Sequence, residues 1–243
     1  MKLGIMQPYF VPYIGYWQLM NAVDQYVVYD DVNYINRGWI NRNRILVNGK
    51  VSYFNVPMLG ASQNKLINEI GVNPDKKLRK KNLATLTQAY HKAPYFDAVM
   101  DLMEQIINCN EENLAKYLFN SFHIICDYLG IGTKLLLSSE LPKDCSLKGQ
   151  DKILSICQLL GATEYYNAIG GQELYNFGDF RNLGMELKFL QPQPVVYQQF
   201  QNDFESSLSI VDVMMFNSVE QIQEMLRSYT LIDESSAPQD KNL

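Results

Sequence analysis

The 243-residue sequence is poor in the residues on which familiar chemistry depends. It has two histidines, and neither His91 nor His123 has a carboxylate and a nucleophile at a recognisable spacing, so both are expected to be structural. Four cysteines, Cys109, Cys126, Cys145 and Cys157, are widely separated and form no Cys-x-x-Cys pair, so neither a zinc knuckle nor a disulfide framework is indicated. No apolar run approaches the roughly 18–20 residues that cross a bilayer. Residues 1–4 lead straight into a strand pattern instead of a cleavable leader, so a cytoplasmic protein without a membrane partner is expected. Basic residues are outnumbered, 21 against 26 acidic, and the net charge of −5 argues against a broad nucleic-acid surface. The chain also lacks Gly-x-x-x-x-Gly-Lys-Ser/Thr, a Gly-x-Gly-x-x-Gly after its first strand, and Gly-x-Ser-x-Gly. P-loop nucleotidases, Rossmann dehydrogenases and α/β-hydrolases are thereby unsupported.

What the chain does have is apolar mass and tyrosine. With 47% hydrophobic and 19% charged residues it can bury a substantial core, and its sixteen tyrosines suit a half-buried cleft as well as a core. Residues 3–6 are a short apolar strand stopped by Gln7-Pro8. Ile14, Trp17, Leu19, Met20 and Val23 then recur at helical spacing, and residues 25–29 return to strand. Strand, helix, strand within about thirty residues is a βαβ unit, whose ligands sit at the carboxyl ends of the strands. This places residues 7–13 and 30–34 on one rim. Asn48-Gly49 between apolar runs predicts a hairpin. Residues 74–130 read as helical, with a break near 108–110 and Asn110 as the cap of the second part; the lysine-rich face of residues 76–81 reads as solvated. The strand and helix rhythm returns at residues 133–137, 150–160, 164–168 and 185–189. Helices are expected over 208–216 and 218–229, followed by a polar tail. The chain is thus expected to be one α/β domain over residues 1–232, with a mostly parallel sheet, flanking helices and a helical insertion at 74–130, and a tail at 233–243.

Two clusters carry the chemistry. In the first, Gln7, Pro8, Tyr13, Gly15 and Tyr16 lie where a proline-started helix with an early glycine brings a ligand close to free backbone amides, a suitable place for an anion. In the second, Asp30 and Asp31 end a strand, where a carboxylate acts as a base, holds Mg²⁺ or accepts sugar hydroxyls. Trp39, Asn41, Arg42, Asn43 and Arg44 follow, with arginines able to fork onto phosphate or carboxylate. Each cluster has a structural alternative, in which the aromatics pack and the arginines pair with Asp30.

The first loop resembles, topologically, that of the nucleotidylyltransferase and class I synthetase (HUP) superfamily, whose His-x-Gly-His turn contacts ATP phosphates. Here Tyr13-Ile14-Gly15-Tyr16 keeps the glycine and replaces both histidines by tyrosine. Residues 6–45, "MQPYFVPYIGYWQLMNAVDQYVVYDDVNYINRGWINRNRI", closely resemble the start of WbqC-like proteins. "LGATEYYNAIGGQELY" and "YQQFQNDFESSLSIVDVMMFN" resemble later blocks of the same family. Members of that family are encoded among bacterial genes for O-antigen and related surface polysaccharides. The resemblance therefore implies a nucleotide-linked amino sugar as substrate, with a small carboxylic or activated acyl donor.

Joined to the residues, it implies a transferase or ATP-dependent amide-forming enzyme. Gln7, Tyr13, Gly15 and Tyr16 would cradle phosphate, Arg42 and Arg44 would neutralise anions, and Asp30, Asp31 or Tyr16 would serve catalysis. Lys148 and Lys152 would add a phosphate contact, and Asn167, Gly170, Gly171, Tyr197, Ser209 and Asp212 would close the other side. ATP and Mg²⁺ are the cofactors such a fold would use if the donor is not already activated; an aminoacyl-tRNA donor stays open. No resident metal site is expected. The alternatives are a sugar-phosphate nucleotidylyltransferase, against which the missing histidines count, and a non-catalytic sugar-nucleotide-binding protein.

Overall fold

The computed structural model describes residues 1–236. Of the expected tail, residues 237–243 lie outside the described residues, and Asp233 begins a turn by accepting from the backbone amides of Ser235 and Ser236. The elements in chain order are β1 (Lys2–Met6), α1 (Ile14–Asn21), β2 (Gln25–Val28), β3 (Arg42–Val47), β4 (Lys50–Asn55), β5 (Met58–Leu59) and β6 (Gly71–Val72). Next come α2 (Lys76–Tyr90), α3 (Phe96–Ile107), α4 (Leu114–Leu129), β7 (Lys134–Leu137), α5 (Gly149–Leu160) and β8 (Glu164–Ala168). The last are α6 (Phe177–Asn182), β9 (Glu186–Pro192), α7 (Ile210–Phe216), α8 (Val219–Met225) and β10 (Tyr229–Ile232).

The expected mixed α/β architecture with a mostly parallel sheet is the one the chain adopts. Six strands lie in the order β10-β9-β8-β1-β2-β7; all neighbours are parallel except β10, which pairs antiparallel with β9. The chain builds outward from β1 through β2 to β7, then returns to the other side of β1 for β8 and β9. The order therefore reverses between β1 and β8, the position at which open α/β sheets form a crevice beyond their strand ends.

Alternation along each strand divides two cores. Tyr26 and Val28 of β2 face one cluster with Trp17, Leu19 and Met20 of α1 and the apolar sides of α3, α4 and α7. Val27 faces the other, with Leu3 and Ile5 of β1, Ile153 and Ile156 of α5 and Phe180 of α6. Strands buried on both faces read as continuous apolar runs, which is why residues 3–6 and 25–28 carry no polar alternation.

Local signals set most boundaries. Asn48 and Gly49 both take positive φ, 53° and 72°, the geometry of the two-residue turn that joins β3 to β4. Asp75 caps α2 by accepting from the Lys77 amide. The cap of α4 is Asn113 instead of the expected Asn110, because Asn113 accepts from the Lys116 amide while its own amide nitrogen is held by the Asn68 carbonyl. Four elements escape the sequence pattern, two of them the two-residue strands β5 and β6. Helix α6 has six residues, too few for periodicity, and is started by Asn176. The expected final helix stops at Met225, and Tyr229–Ile232, rich in aromatic and β-branched residues, pairs instead with the open edge of β9.

Candidate functional site

The segment from Gln7 to Tyr13, between β1 and α1, is held by β3 and by the start of α7. Asn43 on β3 donates its amide to the carbonyls of Phe10 (3.2 Å) and Val11 (3.1 Å), Ser209 Oγ donates to the Val11 carbonyl at 2.7 Å, and the Ile210 amide reaches the Pro12 carbonyl. Val11, fully buried, sits at φ 39°, which a β-branched residue adopts only when its surroundings dictate it. The loop is thus a fixed shape.

Gly15 serves that shape and not the close approach of a ligand. A methyl group built on it would lie 2.4 Å from the ring of Tyr13, which folds back over the start of α1. Gly15→Ala should therefore displace the Tyr13 ring at a cost of about 1–3 kcal/mol, the range for overpacking, and Tyr13→Ala in the same chain should return most of it. Chemical denaturation of the single and double variants beside wild type checks this; a Gly15→Ala chain as stable as wild type would show that the ring moves freely.

Two concavities hold expected site residues, and only the first is lined by this loop. The first, about 290 Å³, is lined by Tyr9, Tyr13, Trp39, Asn43, Arg44 and Ser207. Arg44 donates to the carbonyls of Ser206 and Ser207 at 3.3 and 3.1 Å and stands 3.9 Å from Glu205. The second, about 340 Å³, lies past β2 and β7; Tyr29, Asp31, Lys148, Gly149, Lys152 and Cys145 are among its lining residues. Its charge comes from a buried triad: Asp31 Oδ2 lies 2.9 Å from Lys143 Nζ and 3.0 Å from Lys152 Nζ, with the three side chains 10%, 1% and 7% exposed. Lys143 also donates to the Ser138 carbonyl, and Lys152 to the Asp31 carbonyl. Burial alone would raise the Asp31 pKa, but the lysine hydrogen bonds outweigh it and hold the carboxyl below its ordinary value. One carboxylate set against Lys143, Lys152 and the exposed Lys148 leaves the cleft positive. No side chain caps α5, whose first residue, Gly149, lines the cleft. An anion fits there.

The expected residues are thereby distributed differently from the single rim read from the sequence. Tyr13, Trp39, Asn43 and Arg44 share the first concavity, and Asp31, Lys148 and Lys152 the second. The other candidates line neither concavity. Asp30 is buried, accepts from both the amide and the hydroxyl of Ser139 at 2.9 and 2.6 Å, and ties the end of β2 to the end of β7. Burial raises its pKa, opposed by those bonds. Tyr16 is buried with its hydroxyl donating to the Gln7 carbonyl, and burial lifts its pKa far up. Neither is placed to exchange a proton with a bound molecule. Pro8 is buried. Asn41 accepts from Tyr34 and donates to the Val56 carbonyl, and Arg42 holds the carbonyls of Arg37 and Gly38 while lying over the Tyr53 ring. Asn167 donates to Tyr165 and accepts from the Ala168 amide; Gly170 and Gly171 follow it in a short 3₁₀ turn. Tyr197 and Asp212 belong to a buried network behind the first concavity, where Asp212 accepts from Tyr90, Tyr197 and Gln199 at 2.8, 2.7 and 2.9 Å.

The Asp30-Asp31 pair does not fit Mg²⁺. A hard cation needs several free oxygen ligands, but both Asp30 oxygens are taken by Ser139 and Asp31 Oδ2 by two ammonium groups, which leaves Asp31 Oδ1 as the pair's one unpartnered oxygen, beside two positive charges. Tyr9, Ser207, Tyr29, Lys143 and Gly149 were not among the expected site residues. For Lys143 a signal exists: lysines 143, 148 and 152 recur in the connection between a strand end and a glycine-started helix.

Residues 7–224 match a single family description. The chain belongs to the WbqC-like protein family. It is 27% identical over 230 residues to an uncharacterised protein of Mycobacterium tuberculosis H37Rv, Rv1507c, an alignment that covers 93% of this chain and 97% of that protein. No solved structure matches it. Among the described residues no helix is long and apolar enough to cross a membrane.

Proposed function

We propose that this WbqC-like chain is a cytoplasmic transferase that attaches an aminoacyl or acyl group to the amine of a nucleotide-linked amino sugar in surface-glycan biosynthesis. The observation that carries the reading is the lysine cleft at the carboxyl ends of β2 and β7, where Lys148, Lys152 and the uncapped start of α5 would hold a phosphate or pyrophosphate. The strand order, with its reversal beside β1, supports a nucleotide-binding sheet of the synthetase type. The resemblance of the first forty residues to proteins of polysaccharide gene clusters supports the sugar. In this reading the amine nitrogen attacks the donor carbonyl carbon, the leaving group departs with the bonding electrons, and the proton that the nitrogen loses passes to that leaving group or to water. With Asp30 and Asp31 committed, the cleft contributes positioning and charge neutralisation. An ATP requirement would be met by the same lysines; a donor that arrives activated needs none.

The engagement of Asp30, Asp31 and Tyr16 also favours a second reading, a sugar-nucleotide-binding protein without catalysis. A nucleotidylyltransferase is disfavoured by the magnesium misfit at the aspartates and by the tyrosines in place of histidines.

Cys145, exposed on the cleft, reports occupancy. It should alkylate ahead of Cys126 and Cys157, whose thiols burial pushes up to about 12. UDP-N-acetylglucosamine should slow Cys145 labelling and bind in isothermal titration. Lys148→Ala should weaken binding about tenfold or more with little change in stability, since Lys148 is exposed and a charge-assisted bond contributes about 1.5–3 kcal/mol. Labelling indifferent to nucleotide sugars, to UDP and to ATP would sink the anion reading. Binding without product from amine and activated acid would select the non-catalytic one.

A further inference from the structure

The first concavity has a different chemistry from the lysine cleft. Its walls are three aromatic rings, Tyr9 and Tyr13 from the β1 loop and Trp39 from the strand-free segment before β3, with Arg44 and Ser207 on its lining. Trp39 is 40% exposed, against complete burial of the other tryptophan, Trp17. A large indole held half in water at the mouth of a cavity, with its backbone carbonyl fixed by the Phe10 amide at 3.3 Å, offers a flat apolar face. The Arg44 guanidinium carbon lies 5.9 Å from the centre of that indole.

The polar groups decide what kind of ring it takes. Reading a nucleobase edge calls for an amide or a free guanidinium fork, and the Arg44 fork is not free, since its Nη2 donates to the Ser206 and Ser207 carbonyls. The one amide side chain lining the cavity is Asn43, and it is fully committed: its nitrogen to the Phe10 and Val11 carbonyls, its oxygen to the Arg44 amide at 2.9 Å. The remaining groups are the hydroxyls of Tyr9, Tyr13 and Ser207 and a guanidinium whose Nη1 is 3.9 Å from Glu205, beyond a hydrogen bond. Rotatable hydroxyls around a flat apolar wall suit a ring that has an apolar face and several hydroxyls of its own.

We propose that this concavity is a carbohydrate subsite in which a hexopyranose lies against Trp39 with its hydroxyls on Tyr9, Tyr13, Ser207 and Arg44. In the transfer reaction it would seat the acceptor ring, and that clause alone rests on the function proposed above. The subsite itself stands on this cavity, since a free monosaccharide carries no phosphate for the lysine cleft.

Two measurements on the full chain test it, with N-acetylglucosamine, methyl galactoside and glucuronate as carbohydrate probes and uridine and adenosine as base probes. At least one sugar should change the Trp39 emission saturably, and saturation-transfer NMR should mark its ring C–H protons. Trp39→Ala should weaken that sugar about tenfold, and Trp39→Phe should retain most of the affinity because the flat face is kept. The melting temperature of Trp39→Ala should stay near wild type, because the backbone bond to Phe10 does not need the indole. Loss of sugar binding only in unfolded variants, binding that survives Trp39→Ala, or perturbation by nucleosides and by no sugar would each overturn the proposal. Sugar binding that persists in Lys148→Ala, alongside lost UDP binding, separates this subsite from the anion site.

Discussion

Asp31→Ala is expected to lower stability by about 3–5 kcal/mol, because it strands two ammonium groups in surroundings where Lys143 and Lys152 are 1% and 7% exposed. Removing a carboxylate from an exposed pair would cost less than about 1 kcal/mol, so urea denaturation distinguishes the buried triad from a surface contact. The companion variant Asp31→Leu/Lys143→Met/Lys152→Met should recover most of the loss, since apolar residues of similar volume replace a buried ionic group well. It should also abolish nucleotide-sugar protection of Cys145, because the cleft then keeps Lys148 alone. If the triple variant is as unstable as Asp31→Ala, the deficit comes from packing and not from charge. The pH dependence has a definite sign. The Asp31 carboxyl is held below its ordinary value in the folded chain, so its contribution is complete above that ordinary value and is lost as pH falls through the folded one. The stability difference between wild type and Asp31→Asn should shrink in acid.

Asp212→Ala should be of similar size and opposite in its response to acid. The carboxylate accepts three hydrogen bonds from neutral donors, and its removal leaves Tyr90, Tyr197 and Gln199 unsatisfied at a buried position. Each buried unsatisfied donor costs about 1–3 kcal/mol, so a loss of about 3–5 kcal/mol is expected even if one donor finds a new partner. Burial raises the Asp212 pKa, and the hydrogen bonds from Tyr197, Tyr90 and Gln199 offset only part of that. A folded pKa above the unfolded one means that the contribution is largest in acid and declines as pH rises through the folded value. The difference in unfolding free energy between wild type and Asp212→Asn should therefore grow as pH falls from neutrality. A flat difference would mean that Asp212 titrates as it does in the unfolded chain. Because Ser209, three residues before Asp212, anchors the strained Val11 loop, Asp212→Ala should also blunt the response of Trp39 emission to sugars.

The contrast between Asp30 and Asp31 shows how much of the site was legible. Both stand after an apolar strand, and the sequence marks both as rim carboxylates. Which oxygen meets which partner depends on residues more than a hundred positions away, Ser139 for Asp30 and Lys143 and Lys152 for Asp31. Arg42 and Arg44 differ in the same way: two residues apart on β3, they share one face of the strand, and it is the approach of Ser206 and Ser207 that decides that Arg44 lines a cavity while Arg42 binds its own loop. Gly15 was legible as a special position, but its reason is a tyrosine ring two residues earlier and not a ligand.

By itself the sequence determined the alternation of strands and helices, the Asn-Gly hairpin and the two-sided burial of the central strands, because these rest on spacings of two to four residues and on turn chemistry that acts locally. It also determined that the first loop is special, through a density of proline, tyrosine and glycine that no plain strand-to-helix turn requires. Tertiary structure alone decided that the rim is divided into an aromatic cavity and a lysine cleft, that β10 pairs antiparallel at the edge of the sheet, and that Asp30, Asn43 and Asp212 meet partners within the scaffold. The physical reason is that hydrogen bonds and ion pairs of buried groups are settled between segments far apart in the chain, where each carboxylate and amide takes the partner that folding brings within about 3 Å.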